Sequence, residues 1–300
     1  MDFEKTAVSF EKRFAKKCER ISYAGMPLNV LSERGRSLSA ALSVGGCAAI
    51  ARRDDGRFNV EFDDNNKVIS CNVSDVGKHT EEPMLGFLAR AEALSVKPGG
   101  ADIVFEYNTE IYHDFYPILL SSMYFFCGEM PGILSFKDSF EGFEHNMAGL
   151  VGRKNTLLLQ RGERLDYVPF PNDFFKIVLC CFDEKNTIAE NSSGSVLKCA
   201  AALLNKDYGT FSKIMTDEAE ICLKKGKIGA RSKNLFEIAV KLGDAGGCGF
   251  LKKGGIFAIV ENVKVNAFMQ NLRSEYENYY GAAPDFYVTE TEDSGIYAYI

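Results

Sequence analysis

Apolar residues recur at helical spacing at the start of the chain, at Phe3, Ala7, Phe10 and Phe14 with Glu and Lys between them, and predict an amphipathic helix. The period then shortens. Phe58-Asn59-Val60-Glu61-Phe62 alternates at period two, Ala40 to Ile50 is an apolar run containing Gly45-Gly46, and Lys67 to Val73 reads as a further strand. Asp54-Asp55-Gly56, between the first two of these runs, has hairpin-turn composition. Helical spacing returns at Pro83 to Leu94, stopped by Pro98-Gly99-Gly100, and again at Tyr116 to Cys127 and Ser135 to Leu150, with strand-like Ala101 to Tyr107 between. Three β-rich runs follow at Thr156 to Gln160, Arg164 to Phe170 and Phe175 to Phe182. The remainder interleaves helices at Ser193 to Leu204, around Lys233 to Leu242 and at Asn262 to Tyr280 with strands at Ile256 to Val260, Phe286 to Thr289 and Gly295 to Tyr299. Hairpins first and mixed elements later predict an α+β protein and not a doubly wound sheet.

The 300 residues suggest about two domains, with the boundary in the β-rich region between 155 and 190. Hydrophobic residues at 46% and charged residues at 25% exclude a disordered chain. Lys+Arg 35 against Asp+Glu 41 gives a net charge of -6, which argues against a nucleic-acid partner. No apolar run reaches the roughly 20 residues of a membrane span. The charged start Met1-Asp2-Phe3-Glu4-Lys5 lacks an apolar signal core, so the expected location is cytoplasmic. Nine cysteines without a CxxC pair read as buried reduced thiols. His79, His113 and His145 form no metal-ligand spacing, so no metal site is expected.

The chemical signals are weak when the residues are read alone. Gly243-Asp244-Ala245-Gly246-Gly247-Cys248-Gly249, followed by Lys252-Lys253-Gly254-Gly255, can offer amides and positive charge to a phosphate. A packing or turn role for the glycines, with solvated lysines, is the simpler reading. The polar segment Asn29 to Arg36 can line a cleft, with Glu33 accepting from ligand hydroxyls, or form a solvated loop, the reading preferred. Glu144-His145 reads as a helix-surface pair, and Ser192-Ser193-Gly194-Ser195 as the N-cap of the following helix.

Taken in order, these stations resemble the galactokinases of the GHMP superfamily of small-molecule kinases, over nearly the whole chain. The family's sugar signature G-R-x-N-L-I-G-E-H-T-D-Y, from its arginine on, corresponds to Pro27 through Ser37. Asn29 and Glu33 match it. The arginine used near the transferred phosphate falls on Pro27, and the aspartate that grips sugar hydroxyls falls on Arg36. The following stretch, Ala48 to Gly56, looks like the family's own hairpin. The phosphate loop P-x-G-x-G-L-S-S-S-A-A falls on Glu110 to Leu119, where Tyr112, His113 and Phe115 are bulky and Asp114 repels phosphate. Leu120-Ser121-Ser122 gives a partial echo. The catalytic aspartate of G-I-M-D-Q falls on Asn155, in Gly152 to Thr156, and an amide cannot take a substrate proton as a carboxylate does. The last Gly-rich motif lines up with Ala245 to Gly255 and coincides at Gly254-Gly255.

The resemblance implies a two-domain GHMP-kinase-like fold. Residues 1–165 would form a ribosomal-protein-S5-domain-2-like N-terminal half, and 166–300 a ferredoxin-like C-terminal half, with a cleft between. It implies ATP and Mg as cofactors and a small sugar-like ligand as partner, with no nucleic acid and no membrane. The implied sugar-binding residues are Asn29, Glu33, Arg34 and Arg36. Those for nucleotide are Ser121, Ser122, Lys252, Lys253, Gly254 and Gly255. Asn155 and Pro27 stand in the catalytic Asp and Arg slots. Phosphoryl transfer rests on positioning and charge stabilisation, so the expected activity is a weakened or lost sugar kinase that retains ligand binding. Two alternatives stay open. One is an active small-molecule kinase with relocated groups. The other is a non-catalytic sensor or interaction protein, whose partner surface would be sought at Tyr276, Tyr279, Tyr280, Phe286 and Tyr287; a buried core is the preferred reading of that stretch.

Overall fold

The computed structural model describes residues 3–62, 67–72, 74–75, 100–107, 147–188 and 194–299. The chain divides into two compact units, residues 1–28, 41–152 and 292–300, and residues 29–40 and 153–291. Two long strands, β1 (Arg20–Glu33) and β2 (Arg36–Arg53), contribute to both.

In the first unit, helix α1 (Phe3–Phe14) forms as its apolar spacing predicts. It buries Phe10 completely in a cluster with Ile21, Tyr23, Ala49 and Val104, a burial worth about 2 kcal/mol. The strands run in the order β12-β1-β2-β5-β3-β4, with β3 at Arg57–Phe62, β4 at Lys67–Asn72, β5 at Gly100–Tyr107 and β12 at Ile296–Tyr299. The predicted hairpin around Asp54-Asp55-Gly56 is not one. The chain turns there, but β5 lies between β2 and β3, antiparallel to β2 and parallel to β3. Asp102 on β5 is buried and takes hydrogen bonds from both flanking strands, from Arg53 at 3.0 Å and Asn59 at 2.7 Å. A short helix, α2 (Met147–Val151), is buried on every residue but its last. The expected helices at Pro83 to Leu94 and Tyr116 to Cys127, and most of Ser135 to Leu150, lie outside the described residues.

In the second unit, β2 pairs through Arg36–Ser39 with β6 (Thr156–Arg161), and β6 pairs with β7 (Arg164–Pro169). A separate antiparallel sheet has the order β11-β8-β10-β9, with β8 at Phe175–Cys181, β9 at Ala245–Phe250, β10 at Gly255–Glu261 and β11 at Asp285–Thr289. The helices are α3 (Ser195–Leu204), α4 (Tyr208–Lys225), α5 (Ala230–Leu242) and α6 (Val265–Tyr280). Alternation along β8 and β10 turns Val178, Cys180, Ile256, Ala258 and Val260 toward Leu235, Phe236, Phe268 and Leu272, forming one core.

Two expectations are corrected here, and the N-cap of α3 falls within the stretch that the sequence pointed to. Asn29 to Arg36 is not a loop between a helix and a strand, because β1 continues to Glu33 and turns tightly into β2. Gly243 to Gly249 is not a loop either. Gly243 caps α5 with φ 71, and Ala245 onward forms β9, where Gly249 admits the Phe257 ring. The N-cap of α3 is left-handed Gly194, with no side-chain hydrogen bond. Helix α4, 18 residues long, is an element that the sequence pattern above omits.

Candidate functional site

The candidate residues of the second unit fall into three places. The first is the β1–β2 hairpin. Asn29 is half-buried on β1, Glu33 is 5% exposed beside the turn, and Arg34 and Arg36 are exposed. Arg36 Nη1 donates to Glu33 Oε1 at 3.2 Å, so the hairpin brings these two together. Glu33 Oε2 is buried and receives no hydrogen bond.

The second place is the turn before β6. Asn155 is exposed there with φ 60, and its carbonyl accepts from Phe170 N at 2.7 Å. Lys154 and Lys176 pair with Glu290, and this lowers the Glu290 carboxyl below its ordinary range. Pro27, which the resemblance sets at the family's arginine, belongs to the first unit and lies half-buried within β1. Neither Asn155 nor Pro27 supplies an ionisable side chain.

The third place is the β9–β10 turn, where Lys252 and Lys253 are exposed and Gly254 and Gly255 are buried. Gly254 N donates to Leu251 O at 3.2 Å and Gly255 N to Ser232 Oγ at 3.0 Å. A Cβ on Gly255, at φ +91, would lie 1.8 Å from Cys180 O. Close backbone approach explains these glycines. Their amides are consumed within the protein, so they do not fit a nucleotide-phosphate cradle. Ser121 and Ser122, together with the phosphate-loop stretch Glu110 to Leu119, lie outside the described residues.

Behind this turn sits a polar cluster that the sequence reading missed. Glu184 accepts from Ser232 N at 3.0 Å and Ser232 Oγ at 2.7 Å, capping the start of α5. Asn186 donates to Ser232 Oγ at 3.0 Å and Leu251 O at 2.8 Å, and accepts from Gly229 N at 2.9 Å. Arg231 Nε donates to Tyr276 Oη at 2.9 Å, with its guanidinium 4.3 Å from the Phe182 ring. These partners are mutually satisfied and stabilise the joint between α5, α6 and the turn. The aromatic stretch at the end of α6 divides accordingly: Tyr276 is core, whereas Tyr279 is 68% exposed.

A cavity of about 50 Å³ in this unit is lined by Asn29 and Ser32 of β1, Glu218 and Cys222 of α4, and Phe250 and Phe257 among others. At roughly 15 Å³ per water it holds a few waters, far below the volume of a small-molecule site. Two buried thiols of this unit are held in the neutral form. Burial pushes Cys248 up to about 12, and burial with the Glu218 charge does the same for Cys199. Of the eight described cysteines, six are buried and none forms a disulfide. Cys127 and the three histidines lie outside the described residues. Among the described residues, no His, Cys, Asp and Glu group could hold a metal ion, and no helix is long and apolar enough to cross a membrane.

The fold is the mixed α+β fold of the GHMP kinases. Over 99% of this chain and 99% of that chain it matches Lactococcus lactis galactokinase complexed with galactose, with a TM-score of 0.80 and 13% identity. It also matches Methanococcus jannaschii mevalonate kinase (TM-score 0.59, 13% identity, 91% of this chain and 98% of that) and Staphylococcus aureus mevalonate diphosphate decarboxylase (0.61, 9%, 94% and 98%). No protein-family model matches the sequence, and no curated protein matches it. A decarboxylase beside two kinases shows that this fold carries more than one reaction, so the residues must decide.

Proposed function

We propose that the chain is a galactokinase-like protein that binds a sugar or related small ligand and transfers phosphate weakly or not at all. The family activity would be ATP-dependent phosphorylation of galactose or a related sugar at C1. One observation carries the reading. The chain matches a galactokinase structure end to end, while the residues in the catalytic slots are Pro27 and Asn155. Loss of a positioned arginine and a carboxylate removes charge stabilisation and proton acceptance together. The internal use of the Gly254 and Gly255 amides weakens the case for nucleotide at that turn. Asn29, Glu33, Arg34 and Arg36 remain the candidates for ligand contact, with a division near residue 165 between the two domains.

Thermal shift with galactose, other hexoses and Mg·ATP, alone and combined, tests this. A ligand bound to the native state raises stability by RT ln(1 + [L]/Kd). The expected result is a shift with a hexose and none with Mg·ATP alone. A shift with Mg·ATP and turnover of a hexose would overturn the loss of transfer. Absence of any shift with hexoses would overturn the binding role.

A further inference from the structure

The register of the second unit sets a row of charges across adjacent strands. Arg36 on β2 is the direct partner of Arg161 on β6, which is in turn the direct partner of Arg164 on β7. Direct partners in an antiparallel pair share a face, and Glu33 joins this face through its hydrogen bond from Arg36. Two hairpin tips are locked side by side where Gly162 N donates to Gly35 O at 3.0 Å, and the row lies at their base. Like charges placed directly opposite destabilise a sheet, and three arginines stand here against two carboxylates, Glu33 and Asp166. Asp166 accepts from Arg161 Nη2 and from Arg164 Nε at 3.0 Å.

Two atoms of this row are left over. Glu33 Oε2, on a side chain only 4% exposed, has no partner, and neither has the buried Nε of Arg161. Buried polar atoms are nearly always satisfied in folded proteins, and an exception calls for a physical account. Two other buried carboxylate oxygens without hydrogen bonds, on Glu61 and Glu106, face Arg13 and Lys5 as ion pairs. The ion pair of Glu33 with Arg36 runs through Oε1, and Oε2 receives no hydrogen bond. The leftover set is one charged acceptor and one charged donor. The strands that carry them, β1 and β6, lie two strand spacings apart, roughly 10 Å between backbones.

We propose that this row is the binding site of a phosphorylated sugar or polyol, one hydroxyl donating to Glu33 Oε2 and the phosphate held by the guanidinium groups of Arg161, Arg164 and Arg36. A carboxylate acceptor at one end selects a hydroxyl donor, and arginine forks match phosphate geometry. Arg36 and Arg161 have side chains 44% and 37% exposed, so both can turn to a ligand without disturbing the core. The inference rests on the ligand-binding reading above in taking a sugar as the hydroxyl-bearing part, and adds that the ligand is anionic.

Isothermal titration of the full chain with galactose 6-phosphate, galactose and inorganic phosphate tests it. Galactose 6-phosphate is expected to bind at least tenfold more tightly than galactose, with affinity falling as salt rises. Arg161→Gln and, at the more exposed position, Arg36→Gln should each weaken it at least tenfold. Glu33→Gln should weaken galactose 6-phosphate but leave inorganic phosphate unchanged, because phosphate does not use the hydroxyl end. Circular dichroism of each variant separates lost binding from lost folding. Equal affinity for galactose and its phosphate, no binding of galactose 6-phosphate, or indifference to both arginine variants would overturn the site. Galactose binding with no preference for the phosphate would keep the sugar-binding reading and remove this one. Binding of galactose 6-phosphate through Arg161 without any binding of neutral hexose would do the reverse.

Discussion

Asp102 in the first unit and Glu33 in the second are both withdrawn from water, at 1% and 5% exposure, yet their surroundings differ. Asp102 receives Arg53 Nη1 on both oxygens at 3.0 Å, Asn59 Nδ2 at 2.7 Å and the Lys16 ammonium at 2.8 Å. Glu33 receives Arg36 at 3.2 Å on one oxygen and nothing on the other. Burying a charge costs several kcal/mol unless pairing and hydrogen bonds offset it. Around Asp102 the offset is complete, and the group ties β5 to β2 and β3 on either side. Around Glu33 it is half complete, and one buried oxygen is left without a hydrogen bond. Burial alone therefore does not tell these two carboxylates apart; the count of partners does.

The largest test of this contrast is Asp102→Ala. Removing one partner of a buried charge cluster costs about 3 kcal/mol, at the low end of the range because Arg53 and Lys16, at 27% and 37% exposure, can rehydrate. Urea unfolding should show the loss as a lower midpoint at unchanged slope. A smaller effect comes from pH. Burial by itself raises the Asp102 carboxyl, but the hydrogen bonds from Lys16, Asn59 and Arg53 together outweigh it and leave the group below its ordinary value. A carboxyl depressed in the folded state contributes stability that is fully present above its unfolded value, near about 4, and is lost as pH falls through the folded value. The melting temperature is expected to drop from about pH 4 downward, and Asp102→Ala should flatten part of that drop in a calorimetric series. An unchanged acid slope in the variant would remove Asp102 as its source.

How much of this was legible in sequence depends on the range of the interaction. Helix α1 announces itself through Phe3, Ala7, Phe10 and Phe14, because its register is set locally. The strand at Arg57–Phe62 is legible from its alternation, but its partner is not. A turn signature cannot report that a strand 40 residues further on, carrying Asp102, will insert beside it. Helix α4 carried a usable signal: Asp207 accepts from Thr210 N as its N-cap, and Phe211, Met215, Ala219 and Cys222 recur at helical spacing. Gly209 in the first turn and the buried Glu218 blunted that pattern. The glycines of β9 hide a strand because their small size serves the Phe257 ring, not strand propensity. The end-to-end layout was legible as a resemblance, and the fold agrees with it. The arginine row was not, since Arg36, Arg161 and Arg164 become neighbours only through sheet register.

The smallest expected effect is the sharpest discriminator. Glu33→Gln removes a buried negative charge, keeps an oxygen to accept from Arg36, and leaves Arg36 free to turn into water from a side chain already 44% exposed. The lost charge-assisted bond costs about 1 kcal/mol and the relieved desolvation returns a similar amount, so unfolding stability should stay within about 1 kcal/mol of the parent. The same urea experiment that reads about 3 kcal/mol at Asp102 would then read near zero at Glu33. A loss at Glu33 as large as at Asp102 would make it a second structural charge, and the unpartnered oxygen would need an internal explanation. A small loss joined to weaker ligand binding leaves one account: Glu33 is kept buried and charged for a partner that arrives from solution.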